Sequence, residues 1–155
     1  MAEHLATIVW TNAVPAADFV KGRYSREHTW SFDGGVTIAG SSSPSVVPLP
    51  WSSTAAVDPE EAFVASAASC HMLSFLYVAG KRGVVVTSYR DRAVGVMTKG
   101  ANGVPWISKI TLDPQIEYVE APDAAQVAEL HELAHHECFI ANSVKTEIVV
   151  STRSS

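Results

Sequence analysis

Residues 62–79 contain no Asp, Glu, Lys or Arg. The four residues before them, Asp58-Pro59-Glu60-Glu61, announce a helix in several ways at once. Asp58 suits the N-cap, Pro59 the first turn, and Glu61 completes a capping box, while both glutamates favour the positive end of the helix dipole. Lys81 and Arg82 sit where a last turn would be, with Gly80 or Gly83 as the stop. The pattern predicts a helix that opens at the Asp58 cap and runs through Ala62 to about Ala79. A helix that is apolar all round is buried on all sides. In a chain of 155 residues, that implies packing between a sheet and a second subunit.

The flanking segments supply the sheet. Residues 5–10 read as a short strand, broken by Val14-Pro15-Ala16. Residues 24–32 alternate with a period of two, placing Tyr24, Arg26, His28, Trp30 and Phe32 on one side. Asp33-Gly34-Gly35 is a turn signal, and residues 36–39 return as the hairpin partner. Segment 41–57 is rich in Ser and Pro and reads as an ordered surface loop. Strands are predicted at 84–89 and 93–97, then a turn at 99–103, then a meander at 106–112 and 115–119. Asp123 caps a second helix over about 124–136, with Val127, Leu130, Leu133 and Ala134 as its buried stripe. A strand at 144–150 follows. Strands, helix, strands, helix, strand is an α+β order with antiparallel sheets, in one domain spanning 1–155.

Bulk properties exclude several classes. A hydrophobic share of 47% and a charged share of 17% describe a folded globular chain. The net charge of −5, with no basic run longer than Lys81-Arg82, argues against a nucleic-acid surface. The start has no basic segment followed by a long apolar one, so no signal peptide is expected, and no apolar run reads as membrane-spanning. The expected compartment is the cytoplasm. There a structural disulfide is disfavoured, and a reactive pair is the better use of the two cysteines, Cys70 and Cys138.

Each candidate residue has a plain structural reading beside the chemical one. Cys70 on a buried helix serves equally as a small hydrophobe. Reactivity requires a thiolate and therefore a nearby cation or donor. His71 is adjacent but points about 100° away round the helix, which leaves Arg26 or Arg23. Glu60 is explained by the dipole, yet it lies roughly 15 Å from Cys70 along a continuous helix. A carboxylate acting at that thiol requires either a later helix start or arrival from a second copy, paired antiparallel about a twofold axis. His131-Glu132-Leu133-Ala134-His135 is a literal HExxH, so a zinc hydrolase using His131, Glu132 and His135 is an alternative, although no third zincin ligand is obvious downstream. No GxSxG elbow or Gly-rich phosphate loop occurs. The four tryptophans are expected in the core or an interface.

The segment DPEEAFVASAASCHMLSFL, with its Glu60-to-Cys70 spacing, resembles the buried helix of the OsmC/Ohr family of osmotically inducible and organic-hydroperoxide-resistance proteins. Ala134-His135-His136-Glu137-Cys138 resembles that family's second cysteine motif, and YSREHTWSFDGG its early Arg-bearing strand. The resemblance implies an OsmC-like fold, a long central helix within an intertwined homodimer, and a thiol-dependent peroxidase acting on organic or inorganic hydroperoxides without a cofactor. It implies Cys70 as attacking thiol, Cys138 at the end of an exposed helix as resolving thiol, and Glu60 and Arg26 as their charged partners. Arg23 and His71 are further binding candidates. A dithiol or lipoyl-type reductant would recycle the pair, with neither nucleic acid nor membrane as partner. Phe139 departs from the pattern, since many relatives carry Pro there. A non-catalytic stress or binding protein on the same scaffold is the competing reading.

Overall fold

The computed structural model describes residues 1–151. They form two compact units, Met1–Ala62 and a second that begins at Phe63.

In the first unit, strands β1 (Ala6–Val9), β2 (His28–Phe32) and β3 (Thr37–Gly40) form an antiparallel sheet in that order, with a short helix α1 (Ala16–Phe19) between β1 and β2. Ile8 and Ile38 flank Trp30 across it. The expected hairpin turn closes as Phe32 N–H donates to Val36 O at 2.9 Å, with Gly35 at φ +86°, a conformation open to glycine without strain. The strand expected from residue 24 begins only at His28. The residues before it satisfy their polar groups elsewhere: Arg26 N–H donates to Trp51 O at 2.9 Å, and the Arg26 side chain binds its own loop. Segment 41–57 is tied down at both ends, since Ser41 N–H donates to Val57 O and Val57 N–H to Ala39 O, each at 3.0 Å. Buried Ser41 also accepts from Ser53 N–H at 3.0 Å.

Helix α2 (Pro59–Lys81) starts directly after Asp58 and carries Lys81 in its last turn, as expected. Its capping box is present, with Glu61 N–H donating to Asp58 Oδ1 at 2.7 Å and Asp58 N–H to Glu61 Oε2 at 3.2 Å. Gly83, at φ +74°, ends it, and Val84 N–H closes onto Ala79 O at 2.9 Å. By length and composition α2 could cross a membrane, its mean hydropathy reaching 1.6, which corrects the expectation that no such run exists. Within a single chain the helix is covered along one face. Ala67, His71, Phe75, Val78 and Ala79 make one buried stripe, whereas Leu73, Leu76 and Tyr77 are 61%, 37% and 60% exposed.

The second unit packs two sheets on that stripe. Strands β4 (Val86–Asp91) and β7 (Pro114–Tyr118) pair antiparallel. β5 (Val94–Lys99) pairs antiparallel with β6 (Pro105–Leu112), and β8 (Glu147–Val150) adds to β6 in parallel. The expected meander is therefore corrected: β4 and β7 leave the β5–β6 hairpin between them, and one pairing is parallel. Lys109 and Glu147, opposite each other across β6 and β8, form an ion pair at 3.4 Å. Helix α3 (Ala124–Glu137) starts at Asp123, whose side chain accepts from Gln126 N–H at 2.8 Å in a capping box. Leu130 and Ala134 of α3 pack on Phe75, Val78 and Ala79, while Ala67 packs on Ile110, Leu112 and Ile148. The architecture is α+β, with largely antiparallel sheets and one long helix.

Gly95 of β5 faces α2 closely: a Cβ there would lie 2.5 Å from Val64 Cγ2. Gly95→Ala must displace Val64, and the expected outcome is a loss of about 1–3 kcal/mol, read from urea unfolding midpoints.

Candidate functional site

The two thiols meet in the second unit. Cys70 comes from the middle of α2 and Cys138 from the C-cap of α3, and adjacent amides of one turn reach both sulfurs. The chain turns sharply after α3 into a 3-10 segment, Ala141–Ser143. That turn aims two backbone amides at sulfur: Ile140 N–H donates to Cys70 Sγ at 3.5 Å, and Ala141 N–H to Cys138 Sγ at 3.4 Å. Asn142 Nδ2 secures the turn on the carbonyls of His136 and Cys138, at 2.9 and 3.0 Å. Both cysteines are free. Cys138 is 1% exposed, correcting the picture of a resolving thiol waiting on an exposed helix end. Burial pushes it up to about 11, with the neighbouring Cys70 thiol adding to the rise and the Ala141 amide opposing it. Nothing local in the sequence signals the Ile140 and Ala141 donors, because they depend on a turn meeting a helix many residues away.

His71 and His131 form a second constellation in the same unit. Their rings stack with centroids 5.4 Å apart and 10° between planes, and His71 Nε2 lies 3.1 Å from His131 Nδ1. Phe75 packs on His131 at 4.5 Å. Burial holds His71 down to about 4, reinforced by His131 and then His135, and burial holds His131 down to about 4 as well. The HExxH therefore turns its first histidine onto another imidazole. Among the described residues no group of three or more His, Cys, Asp or Glu could hold a metal ion. His71, expected as a binding residue, is buried in this pair.

The charged partners lie in the first unit, in a pocket of about 470 Å³. Arg26 and Glu60 both line it, with Ile8, Trp10, Phe19 and Tyr24 as an apolar wall. The three aromatic rings are mutually packed, Phe19 on Tyr24 at 4.5 Å and Trp10 on Tyr24 at 5.5 Å. Arg26 Nη1 donates to Gly22 O at 2.7 Å and to Tyr24 O, and its Cζ sits 3.7 Å from the centre of the Tyr24 ring. Arg26 and Glu60 do not pair with each other; the ion pairs among the described residues are Arg82–Glu129 and Lys109–Glu147. Arg23 is exposed and outside the pocket lining. His28, which the sequence placed only on a strand face, also lines it, with Nδ1 2.7 Å from Arg26 O and Nε2 accepting from the Trp30 indole N–H. Trp10, Phe19 and Tyr24 were not singled out as a site, since a loop and two separate elements bring them together.

These features, a long capped helix with a central cysteine and a second cysteine closing the next helix, define a two-cysteine α+β protein. The family model OsmC, described as OsmC-like protein, matches residues 52–153, and the chain belongs to that family. It is similar to an OsmC-like protein of unknown function from Vibrio cholerae O1 biovar eltor, at 48% identity and TM-score 0.91 over 97% of this chain and 99% of that one. An organic hydroperoxide resistance protein from Elizabethkingia anophelis shares the fold at 16% identity and TM-score 0.71, covering 99% and 98% of the two chains. An OsmC-like protein from Mycoplasma pneumoniae does so at 14% identity and TM-score 0.69, covering 97% and 95%. No curated protein matches.

Because Cys138 is buried and held protonated while Cys70 is half-buried, alkylation should separate them. With iodoacetamide near pH 8, Cys70 is expected to label at least about tenfold faster, as measured by peptide mass spectrometry.

Proposed function

We propose that this chain is a thiol-dependent peroxidase that reduces organic hydroperoxides. The observation that carries the reading is that the adjacent backbone amides of Ile140 and Ala141 donate to Cys70 Sγ and Cys138 Sγ, which brings the two thiols to one turn. The Cys70 thiolate attacks the distal peroxide oxygen; the O–O bond breaks, the alkoxide takes a proton and leaves as the alcohol, and Cys70 becomes a sulfenic acid. The Cys138 thiol then displaces water from that sulfenic acid to form the Cys70–Cys138 disulfide. A dithiol reductant, of dihydrolipoyl or similar type, restores both thiols by exchange and leaves as its own disulfide.

Arg26 and Glu60 serve this chemistry as the charged groups of the substrate pocket. The guanidinium offers a fixed cation for the thiolate and the departing alkoxide, and the Ile8, Trp10, Phe19 and Tyr24 wall suits an apolar peroxide tail. In this reading the working form is a homodimer. The exposed Leu73, Leu76 and Tyr77 lie on an apolar helix face of the kind a second copy covers, and the Glu60 carboxylate reaches the thiol pair from that copy. The protein would act in the cytoplasm.

Cumene hydroperoxide consumption with dihydrolipoamide tests the chemistry. Cys70→Ser is expected to abolish turnover, Cys138→Ser to consume a single equivalent when no dithiol is supplied, and Arg26→Ala to lower kcat/KM by about 10²-fold; undiminished turnover by Cys70→Ser sinks the proposal. Sedimentation equilibrium tests the assembly. Wild type should sediment as a dimer, and the double variant Leu73→Glu, Tyr77→Glu as a monomer, because each substitution places a charge in an apolar contact.

A further inference from the structure

The stacked histidines join the two helices that carry the thiols. His71 follows Cys70 directly on α2, and His131 lies two turns before Cys138 on α3. Side chains of α2 and α3 otherwise meet through apolar packing of Phe75, Val78 and Ala79 on Leu130 and Ala134, which sets distance but has little directional preference. The His71 Nε2–His131 Nδ1 bond is directional, at 3.1 Å between rings only 10° from parallel. We propose that the His71–His131 pair is a positioning latch that seats the Cys138 end of α3 against Cys70, and that acid releases it.

The proton count makes the latch pH-sensitive. Two ring nitrogens facing each other at hydrogen-bond distance can share one proton, not two. If both rings are protonated, two N–H groups confront each other and the bond becomes a repulsion. The other nitrogen of His71, Nδ1, is buried without a protein partner, so a second proton there also puts an unpaired cationic N–H in the core. The groups that bear on the pair reinforce this. From α3, His131 and His135 act on His71; from α2, Phe75 covers His131, and behind Phe75 lies Tyr89 of β4, at 5.8 Å between rings. The charges acting on His71 are imidazoles, which oppose protonation.

The sign follows. Both histidines fall to about 4 in the fold from an ordinary 6.5, so the unfolded or opened form binds more protons between these values. The latch is fully effective above about pH 6.5 and weakens as pH falls towards 4.

The inference rests on the pairing of Cys70 with Cys138 proposed above, but not on any hydroperoxide substrate, so its test uses diamide. This oxidant takes two electrons and two protons from the dithiol, becoming a hydrazine while the S–S bond forms. Closure of the Cys70–Cys138 disulfide in the reduced full-length protein is followed by mass spectrometry at about pH 7.5 and about pH 5, for wild type, His131→Phe and His131→Asn. Phe keeps the stacked packing without the bond. Asn places an amide where Nδ1 stood, and its carbonyl still accepts from a protonated His71. At the higher pH, His131→Phe should close about five- to tenfold more slowly than wild type, while His131→Asn stays within about twofold. At the lower pH the gap between His131→Phe and wild type should shrink, and His131→Asn should close faster than both. Equal closure by wild type and His131→Phe at the higher pH overturns the latch, as does a ratio that does not change with pH. Failure of wild type to form the disulfide overturns the latch and the thiol pairing together. Normal diamide closure with no hydroperoxide turnover overturns the peroxidase reading alone and leaves the latch standing.

Discussion

The second unit depends on one stripe of α2. Ala67, His71, Phe75, Val78 and Ala79 are the buried residues of that helix, and they hold two separate cores. Ala67 anchors the β6–β8 side through Ile110, Leu112 and Ile148, while Phe75, Val78 and Ala79 anchor α3. Cys70 and His71 fall at the sequence junction of the two. An uncharged helix has to be covered for its apolar surface to stabilise anything, and the covering elements here bring in the second cysteine. The thiol site is thus a by-product of how the helix is buried: whatever packs α3 against Phe75 also delivers the C-cap of α3 to Cys70.

Local chemistry was the legible part of the fold. The Asp58–Glu61 box and the Asp123 cap are decided within four residues, and both appear as hydrogen bonds. The Asp33-Gly34-Gly35 turn is equally local. Residues 24–27 misled, because alternation is only a pattern of side chains. Their backbone found partners at Trp51 and in the Arg26 side chain rather than in a ladder. The order of the second unit's strands was not readable either. β8 joins β6 in parallel after an intervening helix, and nothing within either strand encodes that choice. The exposure of Leu73 and Tyr77 shows that a helix with a long uncharged stretch states a need for cover without saying which chain provides it.

The candidate site divides in the same way. Cys70, Cys138, Arg26 and Glu60 could be named as candidates because their residue types suit thiol chemistry and their motifs resemble those of the family. The amides of Ile140 and Ala141 carry no residue-specific mark, and His71 and His131 stand 60 positions apart, so only the packed helices reveal them as one unit. The HExxH is the instructive case. Its spacing puts two imidazoles on one face of α3, but what the first imidazole does is decided by the helix beside it.

Arg26 has a consequence of its own. Its guanidinium is already bound to two carbonyls of its loop and lies flat on Tyr24, so its rotamer freedom is spent before anything enters the pocket. A lysine at that position would carry the same charge on a mobile stem and would have to be ordered anew at each encounter. The pocket therefore presents its positive charge as a fixture of the wall, at a constant height above the aromatic floor. Under the proposed function, a guest would be sorted by whether its polar end and its apolar tail match a spacing that the loop has set in advance.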